Sequence, residues 1–159
     1  MNKLKTKQFK ISDLFVVSAT KSLDESNLTF VEDGINFVGR VKENNGIKGK
    51  IKKQNFEPNE PNSITATVIG NYKYVKYQEE PYYCSQNINK LIPKFEMNRY
   101  SALYMITFIQ KFVSRFDRQR DGYKLDDLKN CIINLPVCNM LCPDFGRLQD
   151  IVVRGGMLI

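Results

Sequence analysis

The hydrophobic period of this chain changes at Asn98, and that change limits what the chain can fold into. After it, Ala102, Met105, Ile106, Ile109, Phe112 and Val113 recur at intervals of three and four residues, which places them on one face of an α-helix. Asn98 offers a side-chain oxygen to the unpaired amides of a first turn, so the spacing predicts a helix over Arg99 to Ser114. Its far face carries Arg99, Gln110, Lys111 and Arg115. Before Asn98 the apolar residues come in short β-branched and aromatic runs instead: Leu28 to Val31, Ile35 to Val41, Gly46 to Lys53 and Ser63 to Ile69. Ile64, Ala66 and Val68 alternate with Thr65, Thr67 and Ile69, and Ile47, Gly49 and Ile51 with Lys48, Lys50 and Lys52. Period two is the period of a strand.

Turn chemistry separates these runs. Asp33-Gly34 and Asn44-Asn45-Gly46 supply the positive φ that tight reversals need. Phe56 to Asn62 contains two prolines and reads as a loop. The first ten residues read as an exposed, lysine-rich entry segment, and Tyr72 to Tyr77 as strand or loop. Beyond the helix, Arg118, Arg120, Asp121 and Gly122 make a polar loop, Leu125 to Leu128 a short helical turn, and Cys131 to Val137 a buried last strand stopped by Pro136. Strands grouped ahead of one long helix predict an α+β fold: a mostly antiparallel twisted sheet, the long helix and short accessory helices. At 159 residues the chain is one domain, expected over residues 1–145, with 146–159 as a C-terminal tail.

Composition narrows the chemistry. There is no histidine, which excludes Ser-His-Asp and Cys-His catalysis and histidine-ligated zinc. Cys84, Cys131, Cys138 and Cys142 lack paired CxxC spacing, and reduced thiols with no metal are expected. The longest apolar stretch, Ala102 to Ile109, is far too short to span a membrane, and no secretory signal is readable, so a cytoplasmic location is expected. Neither a glycine-rich cofactor turn nor an Asn-Pro-Pro-Tyr motif of a methyltransferase occurs, no carboxylate cluster for nucleic-acid chemistry is read, and no cofactor is expected. Lysine and arginine number 24 against 17 acids, a net charge of +7 that favours a polyanionic partner.

The positive charge falls in three stretches. Val38 to Asn55 holds Arg40, Lys42, Lys48, Lys50, Lys52 and Lys53 against Glu43, and Lys48, Lys50 and Lys52 share a strand face that fits either a phosphate backbone or a solvated edge. Asn71 to Gln78 interleaves Tyr72, Tyr74 and Tyr77 with Lys73 and Lys76. Lys111, Arg115, Arg118, Arg120 and Lys124 form the third, where loop arginines can reach base edges.

The run from Gly34 to Gly49, GINFVGRVKENNGIKG, resembles the opening of target recognition domains in specificity subunits of type I and BcgI-like restriction-modification systems. The likeness continues in order through Asn62 to Thr65, Val68 to Gly70, Val75 to Gln78, Pro81 to Tyr83, Lys90 to Lys94, Thr107 to Lys111, Leu125 and Ile133 to Val137. It implies a non-catalytic module that reads part of a double-stranded DNA target while partner subunits methylate or cut. Carried over by position, the DNA-contact candidates are Arg40, Lys42, Asn44 and Asn45 in a first loop, with Lys48, Lys50 and Lys52 beside it. Asn71, Tyr72, Lys73, Tyr74 and Lys76 follow in a second, and Arg115, Arg118, Arg120, Tyr123 and Lys124 in a third. The Asn-Asn-Gly pattern serves equally well as a purely conformational device.

Full specificity subunits carry two such domains on paired helices. Here residues 146–159 are expected to be a stub of that spacer, and the chain to be a half-subunit, a truncated product or a lone domain. The resemblance implies a methyltransferase or endonuclease subunit as partner and leaves a homodimer open. The competing reading is a single-strand nucleic-acid binder that stacks bases on Tyr72, Tyr74 and Tyr77.

Overall fold

The computed structural model describes residues 5–138 and 143–155. In chain order the elements are β1 (Thr6–Lys10), α1 (Ile11–Leu14), β2 (Phe15–Ala19), β3 (Ile35–Val38), β4 (Ile47–Ile51), β5 (Ser63–Thr67), β6 (Val75–Gln78), β7 (Tyr82–Cys84), β8 (Ile88–Pro93), α2 (Arg99–Ser114), α3 (Leu125–Lys129), β9 (Ile132–Pro136) and α4 (Phe145–Arg154). The strands form three sheets rather than one: β1-β9, β2-β8-β5-β6 and β4-β3-β7. All pairings are antiparallel except β3 with β7, which is parallel. The α+β class holds.

The period-two runs become β3, β4 and β5, but two segments differ from expectation. Leu28 to Val31 is no strand: only Val31 bridges Lys50, because the preceding turn at Glu25–Asn27 leaves too short a run to pair. The entry segment is β1, whose Thr6 to Lys10 run alongside Pro136 to Ile132 of β9. It gave no apolar alternation to read, because within the strand only Phe9 is half-buried and the other four residues are exposed, Lys7 and Lys10 on opposite faces.

α2 has the bounds its spacing dictates. The Asn98 side chain accepts from the amides of Tyr100 and Ser101, both at 3.0 Å, and the Ser101 hydroxyl accepts from the Asn98 amide at 3.0 Å. This reciprocal cap satisfies donors that the helix leaves open. Ala102, Met105, Ile109 and Val113 are fully buried against Ile64, Ala66, Val75 and Leu91 of the four-stranded sheet. At about 1.5–3 kcal/mol per fully buried large aliphatic side chain, this stripe is the main source of local stability. Leu148 and Val152 of α4 are buried in the same core, whereas Val153 is 58% exposed.

The opposite face of that sheet meets the three-stranded sheet through a partly polar seam. Ile88 packs with Val38, Tyr82 and Cys84. Beside them the Ser63 and Tyr82 hydroxyls lie 2.8 Å apart, and Gln78 donates to Thr65 Oγ1 at 3.3 Å. Among the described residues every buried side-chain nitrogen and oxygen has a partner, as a buried polar layer requires.

Cys84 and Cys131 are free thiols. Cys138 is disulfide-bonded, which corrects the expectation of reduced cysteines throughout; Cys142 lies outside the described residues.

Candidate nucleic-acid interface

Three chain-distant segments converge on one cleft of about 490 Å³, lined by Lys42, Tyr72, Lys73, Tyr74, Lys76, Gln110, Ser114 and Asp117. Lys42 comes from the turn between β3 and β4, Tyr72 to Lys76 from the loop into β6, and the rest from the end of α2 and the loop after it. The first two basic stretches of the sequence therefore line the same cleft, and the third meets it through Arg118, which bonds Tyr72 at its edge.

Gln110 fixes the second segment onto α2. Its carbonyl accepts from the Val75 amide at 2.9 Å, and its amide donates to the Lys73 carbonyl at 2.8 Å and to Ser114 Oγ at 2.8 Å. The third segment is held at both ends. Phe116 and Tyr123 join Phe112 in an aromatic cluster with ring centroids 5.4–5.8 Å apart. Tyr123 Oη donates to the Thr67 carbonyl at 3.0 Å, and Gly122 adopts φ +64° directly against Val68. Arg118, Gln119, Arg120 and Asp121 are exposed between those anchors.

Arg118 is held in a left-handed conformation, φ 62°, which a side-chain-bearing residue adopts only when its surroundings impose it. Its amide donates to the Asn71 carbonyl at 2.8 Å, and its guanidinium donates to Tyr72 Oη at 3.3 Å with its carbon 5.9 Å from the ring centroid. Tyr72 is 52% exposed, so the pair stands at the rim with most of its hydrogen-bonding capacity unused. Among the described residues, none of Lys42, Lys76, Arg115, Arg118, Arg120 and Lys124 is in an ion pair. Partial burial, and then the charge of Lys42, hold the Lys76 ammonium below the usual lysine range. Cations left unpaired and partly desolvated form an anion-ready surface.

Other candidates have structural employment or lie elsewhere. Lys73 and Tyr123 are only 1% and 4% exposed and face inward, so neither side chain reaches a ligand surface. Asn44 and Asn45 take φ values of 50° and 56° ahead of Gly46 at 77°, three left-handed residues in succession, which favours the conformational role. Asn44 donates to the Ile47 carbonyl at 3.1 Å and Asn45 to the Tyr77 carbonyl at 2.8 Å, tying this turn to β6. Arg40 donates to the Gln86 carbonyl at 2.6 Å and Lys48 pairs with Glu25 at 2.6 Å; both line a separate polar hollow of about 280 Å³. Lys50 is exposed on edge strand β4, and Lys52 lies beyond its end. Tyr77 faces a different groove with Arg99 and Leu103 and donates its hydroxyl to Asn62, so the three tyrosines do not form one stacking platform.

Sequence reasoning placed Gln110 on the helix's far face and Gly122 in a polar loop but assigned neither of them, nor Phe116, to the site that they organise. It also passed over Asp127 and Lys129, an acid two residues before a lysine, the spacing used by many metal-dependent nucleases. They lie on one-turn helix α3, and among the described residues no group of three carboxylates or thiols could hold a metal ion.

A family model described as the type I restriction modification DNA specificity domain matches residues 4–140. The chain belongs to that family. By family, this specificity domain is a non-catalytic module. It is 29% identical over 139 residues to a protein from Heyndrickxia coagulans named type II restriction enzyme BgcI specificity subunit S.BcgI, covering 86% of this chain and 40% of that one. Its fold is that of solved specificity subunits. The S subunit of a type I restriction-modification system from M. genitalium superposes with a TM-score of 0.65 at 18% identity, over 86% of this chain and 36% of that one. The HsdS subunit from Thermoanaerobacter tengcongensis superposes with a TM-score of 0.66 at 16% identity, over 94% and 36%. The specificity domain thus spans well under half of each relative. Among its described residues no helix is long and apolar enough to cross a membrane.

Proposed function

We propose that the specificity domain reads one part of a double-stranded DNA target and thereby directs a methyltransferase or endonuclease partner in the cytoplasm. The observation that carries this reading is the convergence of Lys42, Lys76 and the Tyr72–Arg118 pair on one cleft. In this reading Lys42 and Lys76 neutralise backbone phosphates, which positions the duplex without selecting sequence. Arg118, Arg120, Tyr72 and Asn71 then meet base edges, where an arginine fork matches the paired acceptors of guanine in the major groove. Arg115 and Lys124, at the margins of the same loop, add backbone contacts, and Lys50 and Lys52 extend the positive edge.

Residues 146–159 are proposed as the base of a helical spacer. The support is α4, whose Leu148 and Val152 anchor it inward while Val153 stays exposed. A single module binds weakly, so a second domain or a second copy is needed to reach high affinity by avidity.

The test is competition near physiological salt between a randomised duplex pool and a randomised single-stranded pool, with sequencing of the bound fraction. Duplex preference with a short enriched motif is expected. Preference for single strands would overturn the reading in favour of base stacking on Tyr72 and Tyr74.

A further inference from the structure

We infer that Lys73, a lysine with a buried side chain, is the positioning residue that makes two separate loops act as one reading element. The inference rests on the proposed DNA-reading role of the cleft. Lysine is the residue least expected to be buried, yet Lys73 is 1% exposed with all its polar atoms employed within the fold. Its ammonium donates to the Gly70 carbonyl at 3.1 Å and to the Phe116 carbonyl, 43 residues away in sequence. Its amide donates to Asp117 Oδ1 at 2.9 Å, and its carbonyl accepts from Gln110. One residue thus clasps the 70–74 loop, α2 and the start of the 116–122 loop.

The consequence reaches Arg118. Its left-handed backbone is sparsely populated and persists only under restraint, and the restraint next to it is the clasp at Phe116 and Asp117. With the clasp closed, the Arg118 amide meets the Asn71 carbonyl at 2.8 Å and its guanidinium rests on Tyr72. Pre-ordering a long side chain before binding lowers the entropy lost on meeting a base pair. A buried charge–carbonyl clasp is also a discrete, all-or-none restraint, because breaking it leaves buried polar groups unpaired.

The test uses the intact chain and three variants: K73M, which keeps the stem and removes the ammonium; D117A, which removes the acceptor of the Lys73 amide; and D117N, which keeps an oxygen there. Amide hydrogen exchange is read at Arg118 and, as an internal control for folding, at Ile109 and Val113. Exchange at Arg118 should rise about tenfold or more in K73M and D117A, with the control amides unchanged and D117N close to wild type. In duplex binding, preference at one base pair should fall about tenfold in K73M and D117A, while K73M keeps the salt slope of wild type. Unchanged Arg118 exchange in both variants would overturn the clasp. A salt slope reduced by about one in K73M would overturn it too, since Lys73 would then be touching phosphate. A wild type that enriches no motif would instead overturn the DNA-reading role, leaving the exchange arm to decide the clasp separately.

Discussion

Gly122 sits so close to Val68 that a Cβ on it would come within 1.9 Å of the Val68 carbonyl oxygen, and its φ of +64° lies where L side chains rarely go. Both facts forbid any other residue there. G122A is therefore expected to destabilise the domain by about 2–3 kcal/mol. Because the strain falls on the 116–122 loop, DNA selectivity should decline at temperatures where the far-ultraviolet circular dichroism is still native. Thermal melting and duplex binding, run on the same sample, check this.

Tyr123 is a structural residue. Its hydroxyl donates to the Thr67 carbonyl at 3.0 Å inside the core, and burial pushes the phenol well above the usual tyrosine range. Y123F should cost about 1–2 kcal/mol of stability, the loss of a buried hydrogen bond, and leave duplex affinity within about twofold. Urea unfolding gives the first number and fluorescence anisotropy with labelled duplex the second.

Lys42 and Lys76 should behave as phosphate contacts. Replacing either with alanine is expected to weaken binding to every duplex alike and to reduce the slope of log affinity against log salt by about one. Lys76 adds a pH signature. Partial burial, then Lys42, lowers its folded pKa below the ordinary 10.5, so the unfolded chain binds more protons in that window and this group makes stability rise with pH there. A bound phosphate favours the ammonium, so DNA affinity should fall as pH rises through the lowered pKa. An anisotropy series on the alkaline side should show that limb in wild type and not in K76M.

Cys84 is 0% exposed, and burial pushes its thiol up to about 12. It should stay unalkylated in the folded chain at neutral pH and react only on unfolding, as peptide mapping after timed iodoacetamide treatment would reveal.

What the sequence disclosed and what it hid have physical reasons. α2 was readable to the residue because its stripe and its Asn98 cap are both local signals. β4 and β5 were readable because each alternates over its full length. β1 was not, since four of its five residues are exposed and its partner β9 lies more than a hundred residues away. Nor was the division into three sheets, which is set by pairings such as β3 with β7 that leave no mark within either strand. The site followed the same rule. Residue type nominated Lys42, Lys76, Tyr72 and Arg118, but Lys73 and Tyr123 have the same chemistry and are buried, and only tertiary packing separates the two groups. Of the organisers of the cleft, Gln110 bonds its side chain to the backbone of Val75 and Lys73, and Gly122 acts through its own backbone conformation, neither of which composition reveals.

The most direct measurement is selection from a random duplex pool performed in parallel with wild type and R118A at one salt concentration. Wild type should enrich a short motif, and R118A should enrich the same motif with one base pair degenerate, corresponding to about 1–3 kcal/mol of lost discrimination. The same complete motif from both proteins, or none from wild type, would contradict the assignment of the Tyr72–Arg118 cleft as the DNA-reading surface.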